Sequence, residues 1–297
     1  EVGLGGEFDA TNVVQNPLVS IITPISFDHR EYLGNTIKKI AMAKAGIIKK
    51  NIPTVISNQS AEVKELLEAR CKAKRSNIIW STESFTVSRS KKSIIQKKGN
   101  KSIEFPFPSL TGTHQVSNAM TAISTLNHLK IPEYHIFEGL KSAYWPARLQ
   151  KIVKGKLFEL IKTYNINNQL WLDGGHNKAA SMKLRESLSF INKKNLHIIY
   201  GSLRNKDHIS FLKNLAYISS SLCLVEIENQ PSSLQKKVAY ADAKELGWDK
   251  VYAAVDIKDA IKYICDKNNG VDQHVSILIC GSLYLAGQAL KENGLSI

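Results

Sequence analysis

The sequence predicts an α/β protein of two domains, each on a mostly parallel sheet, and two patterns carry that prediction. Between residues 18 and 80, short apolar runs alternate with amphipathic helical stretches. After a proline-interrupted segment, Trp145-Pro146-Ala147-Arg148-Leu149-Gln150, the same alternation starts afresh and runs on toward the C-terminus. Strand–helix alternation implies parallel pairing with helices packed on the sheet faces. A chain of 297 residues is long enough for two domains. The boundary is placed at the proline, giving domains 1–146 and 147–297.

Residues 18–23 read as the first strand, an apolar run bounded by Pro17 and Pro24. A polar loop over 26–34 leads to a helix over 36–49, where Ile37, Ile40, Ala41, Lys44 and Ile47-Ile48 recur at helical spacing. Strand 54–57, helix 61–73 and strand 78–80 continue the alternation, and 85–107 reads as short hairpins decorating an edge. Helices follow over 113–129, with Val116, Met120, Ile123 and Leu126 on one face, and over 132–144. Residues 145–150 read as a linker. In the second domain, strands are expected at 170–172, 198–200, 222–227, 251–255 and 277–280. Helices are expected at 179–190, 209–218, 240–246, 257–267 and from 284 onward.

Composition narrows the function classes. A hydrophobic content of 43% with 22% charged residues suits a soluble globular protein. No apolar run approaches the roughly 20 residues that span a bilayer. The four cysteines, Cys71, Cys223, Cys265 and Cys280, form no CxxC pair and fit buried thiols in a reducing cytoplasm. The net charge of +14 comes from lysines spread along the whole chain. Its densest runs, Lys91-Lys92 and Lys97-Lys98, carry no interleaved aromatics on which bases could stack. A solvated basic face, not a nucleic-acid site, is the expectation.

Ligands of open α/β sheets gather at the carboxyl ends of the strands. The opening stretch, Glu1-Val-Gly-Leu-Gly-Gly-Glu-Phe-Asp-Ala-Thr-Asn12, sets an acid beside Gly3, Gly5 and Gly6. It reads either as a hard-cation site with a close backbone approach or as an ordinary glycine turn. Asp28-His29 follows the first strand, and Lys44 lies on the next helix. The sharpest local signal is Leu172-Asp173-Gly174-Gly175-His176-Asn177, an apolar strand delivering an acid, two glycines and a His-Asn pair to a helix start. Such a turn offers free N–H groups and the helix dipole to a phosphate, although Gly, Asp and Asn are common in tight βα turns anyway. Gly281-Ser282 repeats the arrangement, and Arg148 offers a planar fork for a phosphate. No complete P-loop, GxxxxGK[ST], occurs in the chain.

Together, EVGLGG…DATN at 1–12, SFDHREYLG at 26–34, KAGIIK at 44–49, HQVSNA at 114–119, ARLQ at 147–150, LDGGHN at 172–177 and GSLYLAG at 281–287 stand in a familiar order. In order and spacing they resemble folylpolyglutamate synthase/dihydrofolate synthase, of the Mur ligase superfamily. The resemblance implies part of a P-loop-type Mur ligase central domain followed by a doubly wound, Rossmann-like C-terminal domain. It also implies a cytoplasmic, monomeric amide ligase that uses ATP and Mg²⁺ to join L-glutamate to folate or dihydropteroate through an acyl phosphate. By the same resemblance Glu1 and His29 match Mg²⁺ ligands, and Lys44 matches a lysine that is carbamylated. Asn118 and Arg148 match nucleotide contacts, and Asp173 and His176 match residues that meet ATP and the reacting phosphoryl group. Position 7 is Glu where that family commonly carries Arg, and its P-loop precedes the EVGLGG motif. The chain is therefore expected to be the portion of such a ligase from the metal-binding strand onward. The alternative is a non-catalytic remnant of a split or decayed gene.

Overall fold

The computed structural model describes residues 2–268 and 274–294. Its contacts divide the chain into two compact units, one of residues 1–109 with 114–143, the other of 110–113 with 144–297.

The first unit holds a parallel sheet in the order β1(Ser20–Ile22), β2(Thr54–Ile56), β3(Ile78–Trp80). Short α1(Arg30–Leu33) and longer α2(Ile37–Ala45) lie between the first two strands, and α3(Ala61–Lys74) joins the second to the third. Ile40, Ala41 and Ala45 on α2 and Val63, Leu67 and Cys71 on α3 are the buried positions, at the three-to-four-residue spacing of a core-facing stripe. Thr36 caps α2 by accepting from the Lys39 N–H. Ile21, between the buried Ser20 and Ile22 of β1, is left 42% exposed. The segment expected to form hairpins folds as a three-stranded antiparallel sheet, β4(Phe85–Ser88), β5(Ser93–Lys98) and β6(Lys101–Pro106). Ile94 and Phe105 of that sheet pack against Met120 and Ile123 of α4(Thr113–His128) and Ile136 and Leu140 of α5(Glu133–Ser142).

The second unit is a six-stranded sheet. Its strands are β7(Gln150–Ile152), β8(Gln169–Leu172), β9(Leu196–Tyr200), β10(Ser221–Leu224), β11(Val251–Ala253) and β12(Ser276–Cys280), in the order β11-β10-β9-β12-β8-β7. Every pairing is parallel except β7 on β8. Its helices are α6(Lys156–Tyr164), α7(Lys178–Ser187), α8(His208–Ala216), α9(Lys236–Glu245), α10(Ile257–Lys267) and α11(Leu283–Glu292). Alternate residues feed opposite cores: Leu170, Leu172, Ile277 and Ile279 face one, and Trp171, Ile198, Tyr200 and Leu278 the other. A parallel strand covered on both faces reads as a continuous apolar run for this reason. The sequence reading assigns no element to 151–169, where the structure forms most of β7 and all of α6. A three-residue edge strand carries too little periodicity to announce itself, and Leu157 and Ile161 of α6 are buried only because the sheet face lies beneath them. Among the described residues no helix is long and apolar enough to cross a membrane.

A buried histidine gives this unit a pH-dependent stability. His197 on β9 is 1% exposed, and its Nδ1 lies 2.8 Å from the Ser221 hydroxyl. Burial, helped by the Lys250 charge, lowers its pKa from 6.5 to about 4. The unfolded chain therefore takes up a proton that the folded one refuses. Stability is complete above the ordinary histidine range and falls as pH drops through 6.5 toward about 4, by roughly 3 kcal/mol in all. Urea unfolding of the whole chain at about pH 7.5 and about pH 4.5 measures this. A His197→Gln variant should lose that part of the slope, and an unchanged slope would rule the histidine out.

Candidate active site

The glycines of the opening stretch serve a close packing. Glu7 donates its N–H to the Ala43 carbonyl at 3.1 Å. A Cβ on Gly6 would stand 2.6 Å from the Ala43 oxygen and 2.9 Å from that of Lys44, and one on Gly46 would stand 2.3 Å from the Glu7 Cβ. The stretch is thus pressed onto the turn that carries Lys44, and only residues without side chains admit that approach. Asp9 holds the turn shut. Its carboxylate accepts from the N–H groups of Gly3, Leu4 and Thr11 and from the Thr11 hydroxyl. The Leu4 N–H, then the Thr11 hydroxyl, holds its pKa well below the usual carboxylate range. The Asn12 amide donates to the Glu7 carbonyl. Within the DATN motif, then, Asp9 and Asn12 organise the backbone.

Beside this turn is a cavity of about 330 Å³ at the carboxyl end of β1, lined by Val2, Gly5, Thr23, Pro24 and Lys44 among others. Of the expected metal set, Lys44 lies on this cavity, and Glu1 lies outside the described residues. His29 has a left-handed backbone (φ 49°) just before α1 and is not among the lining residues. The described residues contain no group of three His, Cys, Asp or Glu side chains able to hold a metal. Lys44 as an amine supplies no oxygen, so the set suits Mg²⁺ only with Lys44 as its carbamate. Asn118 is exposed on α4 and donates to the Gln115 side chain.

In the second unit the structure brings Arg148, Asp173 and His176 to one place. Asp173 follows β8 and is 7% exposed. One carboxylate oxygen accepts the Leu149 N–H and the other the Gly175 N–H, both at 2.7 Å. Gly174 donates to the Ala147 carbonyl at 2.8 Å, so the two loops are stitched together. Ala147 and Leu149 are buried at φ 55° and 44°, and Arg148 between them is exposed. Two non-glycine residues in the left-handed region cost free energy, which the surrounding contacts must supply. Burial raises the Asp173 pKa, against the two N–H groups and the charges of Arg148 and His176. Asn177 caps α7 by accepting from the Ala180 N–H.

Strand order places the loop after β12 between those after β8 and β9. The succession of strands reverses between β9 and β12, the place where open α/β sheets bind ligands. Gly281 (φ 114°) leaves no room for a side chain: its Cβ would lie 2.5 Å from the Tyr200 ring and 2.7 Å from the Gly201 oxygen. Ser282 caps α11, and Ser202 is buried at the matching position after β9. Sequence reasoning singled out Gly281-Ser282 and missed Gly201-Ser202. The signal was present, since the same Gly-Ser pair follows an apolar strand in both places.

The first unit is thus a short parallel sheet with Lys44 at its carboxyl edge, and a doubly wound unit follows it along the chain. Residues 1–126 match the family model described as Mur ligase middle domain, and 156–292 match that described as Dihydrofolate synthetase, C-terminal domain. The dihydrofolate synthase/folylpolyglutamate synthase of Bacillus subtilis is 31% identical over 98% of this chain and 66% of its own length. The folylpolyglutamate synthase of Lacticaseibacillus casei is 29% identical over 96% of this chain and 64% of its own. Mycobacterium tuberculosis folylpolyglutamate synthase, solved with ADP and AMPPCP, superposes with a TM-score of 0.82 at 27% identity, covering 99% of this chain and 68% of that one. The chain belongs to the folylpolyglutamate synthase/dihydrofolate synthase family. It spans just under two thirds of the length of these two curated relatives.

Proposed function

We propose that the protein carrying this chain is an ATP-dependent ligase that joins L-glutamate to the carboxylate of a folate or dihydropteroate. The observation that carries the reading is the stitched pair of loops that holds Arg148 outward beside Asp173 and His176. The substrate carboxylate attacks the γ-phosphorus of ATP, releasing ADP and leaving an acyl phosphate. The amine of glutamate then adds to the acyl carbon, and the tetrahedral intermediate loses phosphate and a proton to give the amide. Arg148 stabilises charge on the transferring phosphoryl group, the principal contribution expected in this chemistry. Asp173 fixes the Arg148 loop, and His176, its Nδ1 3.3 Å from the Gly174 carbonyl, is oriented on the same turn. Asn118 contributes to the nucleotide site. Lys44 as its carbamate, with Glu1 and His29, would hold Mg²⁺, which when bound neutralises phosphate charge.

No observation favours a non-catalytic remnant. The reading is tested by measuring ADP release from the native protein, with dihydropteroate and with folate, each with and without glutamate. Release that requires both glutamate and one pteridine substrate is expected, and the preferred substrate separates the two activities of the family. Nucleotide turnover indifferent to both would overturn the assignment.

A further inference from the structure

A second cavity in the first unit, about 540 Å³, shares Glu7, Asn12 and Gly46 with the opening turn but none of the lining of the cavity that holds Lys44. Glu7, Asn12, Lys49, Lys50, Arg70 and Lys74 supply most of its polar lining. Arg70 and Lys74 stand four residues apart on one face of α3 and meet Lys49 and Lys50 from the turn between α2 and β2. Lys49, Arg70 and Lys74 are half-buried, and Glu7 is the only carboxylate on the wall among the described residues. Lys49 donates to the Asn12 carbonyl, whereas Lys50, Arg70 and Lys74 have no carboxylate partner among the described residues. The Arg70 Nε is buried without an acceptor.

The helix dipole favours cations at the end of α3. It does not account for an N–H of a guanidinium withdrawn from water and left unbonded, which is costly, nor for two further lysines facing it. No aromatic side chain lines the cavity, so nothing there would stack on a base. We infer that this cavity is a binding site for a small polyanion, with the Arg70 guanidinium bonding one anionic group and Lys49, Lys50 and Lys74 a neighbouring one. Phosphates and carboxylates share that chemistry, and the volume suits a ligand of a few such groups.

Isothermal titration of the whole chain with inorganic tripolyphosphate and, separately, with citrate tests the site and distinguishes the two sources. Binding of at least one is expected. Arg70→Gln should weaken it about tenfold and Lys74→Gln several-fold, each variant first shown to be folded by its circular dichroism. Glu7→Gln removes the one repulsive group and should tighten binding roughly two- to fivefold, a gain that a purely structural role for these residues does not produce. Lys250→Gln, among the lysines of the second unit, should leave the affinity unchanged. No binding of either probe overturns the inference. So does a loss from Lys250→Gln equal to that from Arg70→Gln, since binding would then lie elsewhere or be charge attraction alone.

Discussion

Asp173→Ala is expected to destabilise the protein by about 3 kcal/mol, since it removes two hydrogen bonds and leaves a buried donor on Leu149 and a half-buried one on Gly175 unpaired. The Leu149 and Gly175 N–H groups have no other acceptor in that position. The same change frees the loop to leave the left-handed conformation of Ala147 and Leu149, so Arg148 loses its fixed presentation. Ligase turnover should fall at least as far as in Arg148→Ala, for which the loss of one preorganised charge contact predicts about 10²–10³-fold. Because the two residues act as a unit, the double variant should lose much less than the product of the single losses. Equilibrium unfolding and kcat for the four proteins of that cycle decide the matter. Independent, multiplicative losses would mean that Asp173 contacts the nucleotide on its own account and does not act through Arg148. Asp173→Asn, which keeps one acceptor and turns a donor toward the other N–H, should fall between.

The second large effect is expected at Lys44. As an amine lining a cavity at the end of β1, it can contribute only a positive charge. As a carbamate it offers two oxygens to a hard cation. Lys44→Ala should lower turnover about 10³-fold through lost metal-assisted charge stabilisation. Stability should change by only about 0.5 kcal/mol, the dipole contribution of a cation in the last turn of α2. Lys44→Arg should be no better, because the guanidinium keeps its charge and does not form the carbamate. The lysine should carry one added carbon dioxide in crystals grown with Mg²⁺ and ATP. Full activity in Lys44→Arg, or a bare amine distant from any metal, would sink the proposal.

Much of this was legible in residue order because parallel strands buried on both faces must be apolar throughout. The runs at 170–172, 198–200 and 277–280 could hardly be anything else once separated by helical stretches. Motif order likewise carried the family, and the glycines at 6 and 281 marked turns where a side chain would run into a neighbouring backbone oxygen. Less was legible where an element depends on its neighbour. The edge strand β7 exists by pairing with β8, and α1 is a single turn inside what reads as a polar loop. Ser202 acquires meaning only when β9 and β12, 80 residues apart at their first positions, lie side by side in register.

What the sequence by itself determined is the alternation of elements, the family, and the identity of the residues that could carry charge or phosphate. Only the tertiary structure decided how they are held. Nothing in the letters Ala147-Arg148-Leu149 requires a left-handed backbone, which ordinary side chains disfavour. That conformation follows from a buried carboxylate 24 residues further along the chain that accepts the Leu149 N–H. Local sequence sets which conformations are inexpensive. A contact formed between distant segments can supply the free energy for one that is not, and here that contact sets where Arg148 points.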